Sequence, residues 1–296
     1  MKMWQQTTIA VIIAGAVLAS SASSYANSNE YQEAFIELLD RRPATYLGLA
    51  AHGRTSEEID KRLAEIYHNN GLQPFWIENG KPSQRAADII SILEDAESHG
   101  LDPDSYYLNR IVQYMDDSKD AADLVRLDVL LSLGMMLYVA DQREGRIIPR
   151  EIDPVLFESA SDEEVDWAAL REAAFGSADM KVFLAQQAPP FLQYRKLQEK
   201  MAEYQAIAAE GGWSSIAEGE TLKPGMDDPR IRDVKQRLAV TGELVAGDSS
   251  SSLFVTELEE AVIRFRKRLN LSLDGAIGKQ TLAALTVAGE ARINEF

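Results

Sequence analysis

The chain has 296 residues, room for about two domains, and its 46% hydrophobic and 26% charged content is that of a folded soluble protein rather than a disordered one. A formal net charge of -17 leaves no general attraction for nucleic acid or for an anionic membrane surface. With 0 Cys, disulfides, zinc–thiolate sites and cysteine nucleophiles are excluded together.

The first 26 residues read as a secretory signal. Lys2 supplies the positive start, and residues 9–19 form an apolar run too short for a span of about 20 residues. Ser24-Tyr25-Ala26 fits a small-x-small cleavage site, so the expectation is an exported, periplasmic protein cleaved after Ala26. Residues 33–40 are a short helix candidate. Thr55 with Glu58 spells a capping box ahead of Ile59, Leu63 and Ile66, and Gly71 ends that helix. Pro74-Phe75-Trp76 reads as an aromatic loop with Trp76 in the core. Ser83 caps a longer helix with Ala86, Ile90, Leu93 and Ala96 inward, stopped by Gly100. Asp102-Pro103 starts the next. Ser118 is expected to open the longest helix, through Leu127, Leu130, Leu131, Met135 and Tyr138 to Gly145. Ser161 with Glu164 is another capping box. Pro189-Pro190 break the chain ahead of a helix with Tyr194, Leu197, Met201, Tyr204 and Ile207, and residues 213–226 lack helical period and look extended.

Beyond Asp227 the pattern tightens. Asp228-Pro229 opens a short helix with Ile231, Val234 and Leu238 inward. Thr256 and Glu259 spell a capping box before Ala261, Val262, Phe265 and Leu269, with Arg264, Lys267 and Arg268 on the other face. Asp274-Gly275 and Ile277-Gly278 form a turn, and Thr281, Leu282 and Leu285 lie on the last helix. The fold class expected is mainly α, a helical scaffold domain followed by a small three-helix domain, with boundaries at 1–26 for the signal, 27–226 for the scaffold and 227–296 for the small domain. The charge divides unevenly: residues 227–296 carry net -1 and residues 27–226 carry net -17.

These residues also carry a resemblance. Val234, Arg237-Leu238, Gly242, Ala261-Val262, Phe265, Leu271, Asp274-Gly275, Ile277-Gly278, Thr281-Leu282 and Leu285 resemble the peptidoglycan-binding-like three-helix domain of cell-wall enzymes. That family usually has Gln where this chain has Arg266. Upstream, Tyr67, Gln73-Pro74-Phe75-Trp76, His99-Gly100-Leu101-Asp102-Pro103, Tyr106, Tyr138, Gly145-Arg146-Ile147, Pro190 and Gly211-Gly212-Trp213 are similar to the scaffold domain of large periplasmic L,D-transpeptidases. In that family a catalytic domain follows, which forms 3→3 cross-links between peptidoglycan stems through a Cys nucleophile.

The resemblance implies peptidoglycan as a partner, and the candidate binding residues are Arg264, Phe265, Arg266, Asp274, Gly275, Ile277, Gly278 and Thr281; the two arginines are included for their chemistry, since a guanidinium matches the geometry of a stem-peptide carboxylate. The same residues have a structural reading, in which Asp274-Gly275 and Ile277-Gly278 are simply the turn between helices and the arginines a solvated face. No catalytic residue is expected. The chain has no Cys, no Gly-x-Ser-x-Gly and no Ser-x-x-Lys, and His52, His68 and His99 lack metal-ligand spacing, so neither a metal nor a cofactor is expected. Three functions stay open: a non-catalytic peptidoglycan-binding scaffold protein, an interaction partner of a full-length transpeptidase, and a truncated fragment of such an enzyme.

Overall fold

The computed structural model describes residues 28–49, 55–118, 120–146, 153, 155, 167–177, 179–245 and 250–293, and every structural statement concerns these residues. The signal-like segment, the Ser161–Glu164 box and Ile147 lie outside them. The described residues are mainly α-helical and fall into two compact units, Met1–Pro190 and Phe191–Phe296.

The first unit contains α1 (28–40), α2 (Pro43–Tyr46), α3 (Ser56–Asn69), β1 (Ile77–Glu78), β2 (Lys81–Pro82), α4 (Gln84–Glu94), α5 (Leu108–Asp117), α6 (Ala121–Glu144), α7 (Trp167–Gly176) and α8 (Met180–Ala185). The capping box at α3 is as expected: Glu58 N–H donates to Thr55 Oγ1 at 3.2 Å and Thr55 N–H to Glu58 Oε2 at 2.7 Å. Ser83 caps α4 through the Ala86 N–H. The inward residue of α4 is Ile89, fully buried, whereas Ile90 is only partly covered. A hairpin that the strand-poor pattern did not suggest joins Ile77 to Pro82 and Glu78 to Lys81. Its turn is Asn79-Gly80, both with positive φ (52° and 76°), which suits the right-handed twist of the flanking strands.

The long helix begins two residues later than expected. Ser118 hydroxyl donates back to the Tyr114 carbonyl and closes α5, while Asp120, in extended backbone, accepts from Asp123 N–H at 2.9 Å and caps α6. From Leu127 to Ala140 every residue of α6 is buried, so this helix is the centre of the unit rather than one amphipathic wall of it. Among the described residues no helix is long and apolar enough to cross a membrane. The 3-10 turn Pro103–Tyr106 crosses α6 so closely that a Cβ on Gly134 would lie 2.6 Å from the Tyr106 carbonyl oxygen.

The same core holds a polar cluster. Asp128 accepts from the Phe75 and Trp76 N–H groups at 3.1 and 2.7 Å and from the Tyr67 hydroxyl at 2.8 Å. Ser132 meets the Tyr67 hydroxyl and the Trp76 indole N–H, each at 2.8 Å. Burial pushes the Asp128 carboxyl up to about 7, against the pull of those donors. The aromatic loop is thus tied to α6 by an acid that the hydrophobic pattern alone would not place inside.

The second unit contains α9 (Leu192–Ala209), α10 (Arg230–Val240), α11 (Thr256–Arg268), α12 (Lys279–Thr286) and α13 (Gly289–Ile293). Three of them, α10 to α12, share the expected small core: Ile231, Val234, Leu238, Ala261, Val262, Phe265 and Leu285 are at most 1% exposed. Asp228 Oδ1 accepts from the Arg230 N–H at 2.9 Å, but the helix starts one residue later than Asp-Pro suggests, with Pro229 rather than Asp228 at the cap position. The capping box at Thr256 is absent. Met226 and Gly225 pair with Phe254 and keep the chain extended as far as Val255, which becomes the cap residue, so Thr256 is already helical. The Glu259 side chain lies instead against the turn, where its Oε1 would sit 2.8 Å from a Cβ on Gly275. The unit also contains more than three helices, because α9 packs on α13.

Candidate binding groove

A buried cation organises the second unit. Arg237 is 1% exposed and its guanidinium lies 3.5 Å from the centre of the Trp213 ring. Its Nε donates to the Leu285 carbonyl at 3.0 Å and its Nη1 to Thr241 Oγ1 at 2.8 Å. Trp213 in turn donates its indole N–H to the Val287 carbonyl at 2.9 Å and rests against Gly289. One end of the extended segment after α9 is thereby clipped to the end of α12. The other end is fixed where Leu222 and Ile277 exchange N–H···O bonds of 3.1 and 2.9 Å as an antiparallel bridge.

Between those two clips the segment runs beside α12 and leaves an open groove of about 520 Å³, within the size range of ligand pockets. Buried Ile216 and Leu282 form its floor, and Gly219, Ala283 and Val287 its walls. Glu218, Lys279 and Thr286 stand on the rim, the first two exposed. Gly219 is small for a reason: a Cβ there would come within 2.5 Å of the Arg230 guanidinium. Arg230 is itself anchored on Asp228 through Nε–Oδ1 at 3.0 Å and Nη2–Oδ2 at 2.8 Å, and these hydrogen bonds hold the Asp228 carboxyl below its usual range.

The residues expected from sequence lie mostly elsewhere. Phe265 and Thr281 are each 1% exposed and Ile277 2%, so all three are core. Arg266 is 5% exposed. It forks onto Asp274 (Nη1–Oδ1 2.6 Å, Nη2–Oδ2 3.2 Å) and also donates to Ser272 Oγ at 2.6 Å and to the Ala276 carbonyl. Gly275 has φ 69°, which suits the turn between Asp274 and Ala276. Arg266, Asp274 and Gly275 are therefore brought together, as one braced turn with Arg266 at its centre. Gly278, extended at φ -85°, immediately precedes α12 and places Lys279 at the groove. Arg264 lies apart, on the Glu243 carbonyl through Nε and Nη2 at 3.0 and 2.9 Å, with a looser contact to Glu260 at 3.8 Å.

Residues 61–201 match the family model for a scaffold domain, and residues 227–285 match the one for a peptidoglycan binding domain. The chain joins a scaffold domain to a peptidoglycan-binding domain. No curated protein matches it. The scaffold match ends within α9, a helix that the fold assigns to the second compact unit. The peptidoglycan-binding match begins at residue 227, so Ile216, Glu218 and Gly219, one side of the groove, precede it. Sequence reading missed Lys279 and Ala283 because an exposed Lys and an exposed Ala on a short helix carry no periodic signal. It missed Glu218 because residues 213–226 offered no period at all.

Proposed function

We propose that this protein is an exported, non-catalytic peptidoglycan-binding scaffold protein related to the L,D-transpeptidases. The observation that carries the reading is the second unit: a folded helical body whose residues 227–285 match a peptidoglycan binding domain, with an open groove beside α12. Both matched models are of scaffold or binding type. A cysteine transpeptidase needs a thiolate, and the sequence has none, so 3→3 cross-linking does not run on this chain. The signal-like start supports export, with cleavage after Ala26.

The test is co-sedimentation of the mature chain with purified sacculi. Retention in the pellet that weakens as salt rises is expected, because the contacts available at an exposed groove are individually weak. Absence from the pellet at every ionic strength would remove the reading. It would point instead to a protein partner such as a full-length transpeptidase, which a pull-down from periplasmic extract identifies. Mass spectrometry of the exported chain should find Asn27 at its amino terminus, and Met1 retained in a soluble cytoplasmic fraction would contradict export.

A further inference from the structure

We infer that the groove between residues 216–219 and α12 is the ligand site, and that its ligand is the zwitterionic end of a diaminopimelate-type stem peptide. This rests on the proposed peptidoglycan-binding function and specifies where and what it binds. The alternative place, around Phe265, has little to offer a ligand. Phe265 is 1% exposed, Arg266 is committed to the turn, and Arg264 is on the Glu243 carbonyl.

The groove has the opposite character. Ile216 and Leu282 give it an apolar floor that suits a short aliphatic chain. Its rim carries one carboxylate, Glu218, and one ammonium, Lys279, both exposed. Among the described residues neither has an ion-pair partner. A side chain of a few methylenes ending in both an amine and a carboxylate matches this arrangement: the methylenes cover the floor, the amine faces Glu218 and the carboxylate faces Lys279. A lysine-type stem supplies the methylenes and the amine but no second carboxylate, and leaves Lys279 unanswered. The binding unit is accordingly larger than residues 227–285. It includes the extended segment that Trp213 and Leu222 hold in place.

The experiment titrates the full mature chain with two soluble stem tripeptides whose terminal α-carboxylate is blocked as the amide, one with meso-diaminopimelate and one with lysine in the third position, followed by NMR. The same proteins are sedimented with sacculi. The wild type should prefer the diaminopimelate tripeptide by about fivefold, the ceiling for one exposed charge contact. Lys279→Ala should bring the two ligands within twofold of each other. Ala283→Phe, at an exposed groove position whose replacement leaves the core untouched, should abolish binding of both while the melting temperature stays unchanged. Equal affinity for the two tripeptides, a preference that survives Lys279→Ala, or undiminished binding by Ala283→Phe would each overturn the inference. So would sacculus retention with no tripeptide binding. Failure of the wild type to sediment with sacculi would instead overturn the underlying function, so the two failures are distinguishable.

Discussion

Asp128 is a carboxyl group in the middle of the first unit's core, bonded by the N–H groups of Phe75 and Trp76 and by Tyr67. Burial raises it to about 7, well above the value near 3.9 that an unfolded chain shows. The folded state therefore holds a proton that the unfolded state releases, and the associated stability is complete below about pH 4 and is lost as pH rises through about 7. Each pH unit between those two values is worth about 1.36 kcal/mol, so the full effect is at most about 4 kcal/mol. Denaturant melts at pH 4.5 and pH 7.5 should show wild type less stable at the higher pH. Asp128→Asn should flatten that difference while lowering stability overall, since an amide cannot accept from all three donors at once. An identical pH dependence in the variant would show that the group does not titrate in this range. Arg266 teaches a related lesson at the same scale. It reads from sequence as a surface cation, yet two carboxylate oxygens, a hydroxyl and a carbonyl are gathered around it by the turn. Arg266→Ala should destabilise the second unit by about 2 to 4 kcal/mol, since it strips partners from a buried network, and thermal denaturation measures this.

At the scale of elements, α6 sets the first unit and the clip through Trp213 sets the second. The helix is crossed at Gly134 by the backbone of the Tyr106 turn, and backbone yields less readily than a flexible side chain. Gly134→Ala should improve helix propensity by about 1 kcal/mol but force the crossing apart. A net loss of roughly 1 to 3 kcal/mol in a chemical denaturation curve is expected, and a stabilised variant would show that the crossing relaxes freely. In both units, where a helix starts depends on the backbone at its cap residue. Thr55 caps because its own backbone is extended and its side chain reaches the Glu58 N–H, whereas the pairing of Phe254 with Met226 moves the cap at α11 back to Val255.

For the whole molecule, charge and division into units matter most. Of the formal net charge of -17, nearly all lies upstream of residue 227, and screening confines its reach to about 8 Å at physiological salt. Binding by the near-neutral second unit is then a matter of local groups. The two compact units meet in sequence at Pro190 and Phe191, and Phe191 is 66% exposed. Limited chymotrypsin digestion should cut after Phe191 and release a stable fragment that retains α9 and Trp213. A first cut within residues 213–226 would show that the extended segment is not held by its bonds to Val287 and Ile277.

What the sequence determined by itself was local. Caps at Thr55 and Ser83 and the Asp228 contact to the Arg230 N–H join residues two or three apart, and the inward faces of α3, α10 and α11 follow from a period of 3.6, so short-range patterns specify them. The peptidoglycan-binding pattern was legible for the same reason, as ordered turns and apolar positions. The tertiary structure alone decided which residues line the groove. Trp213 and Val287, 74 positions apart, must meet before Ile216 and Glu218 stand opposite Lys279. No periodicity encodes that meeting, because a groove is made by the gap left between elements, and a gap depends on where the packing stops.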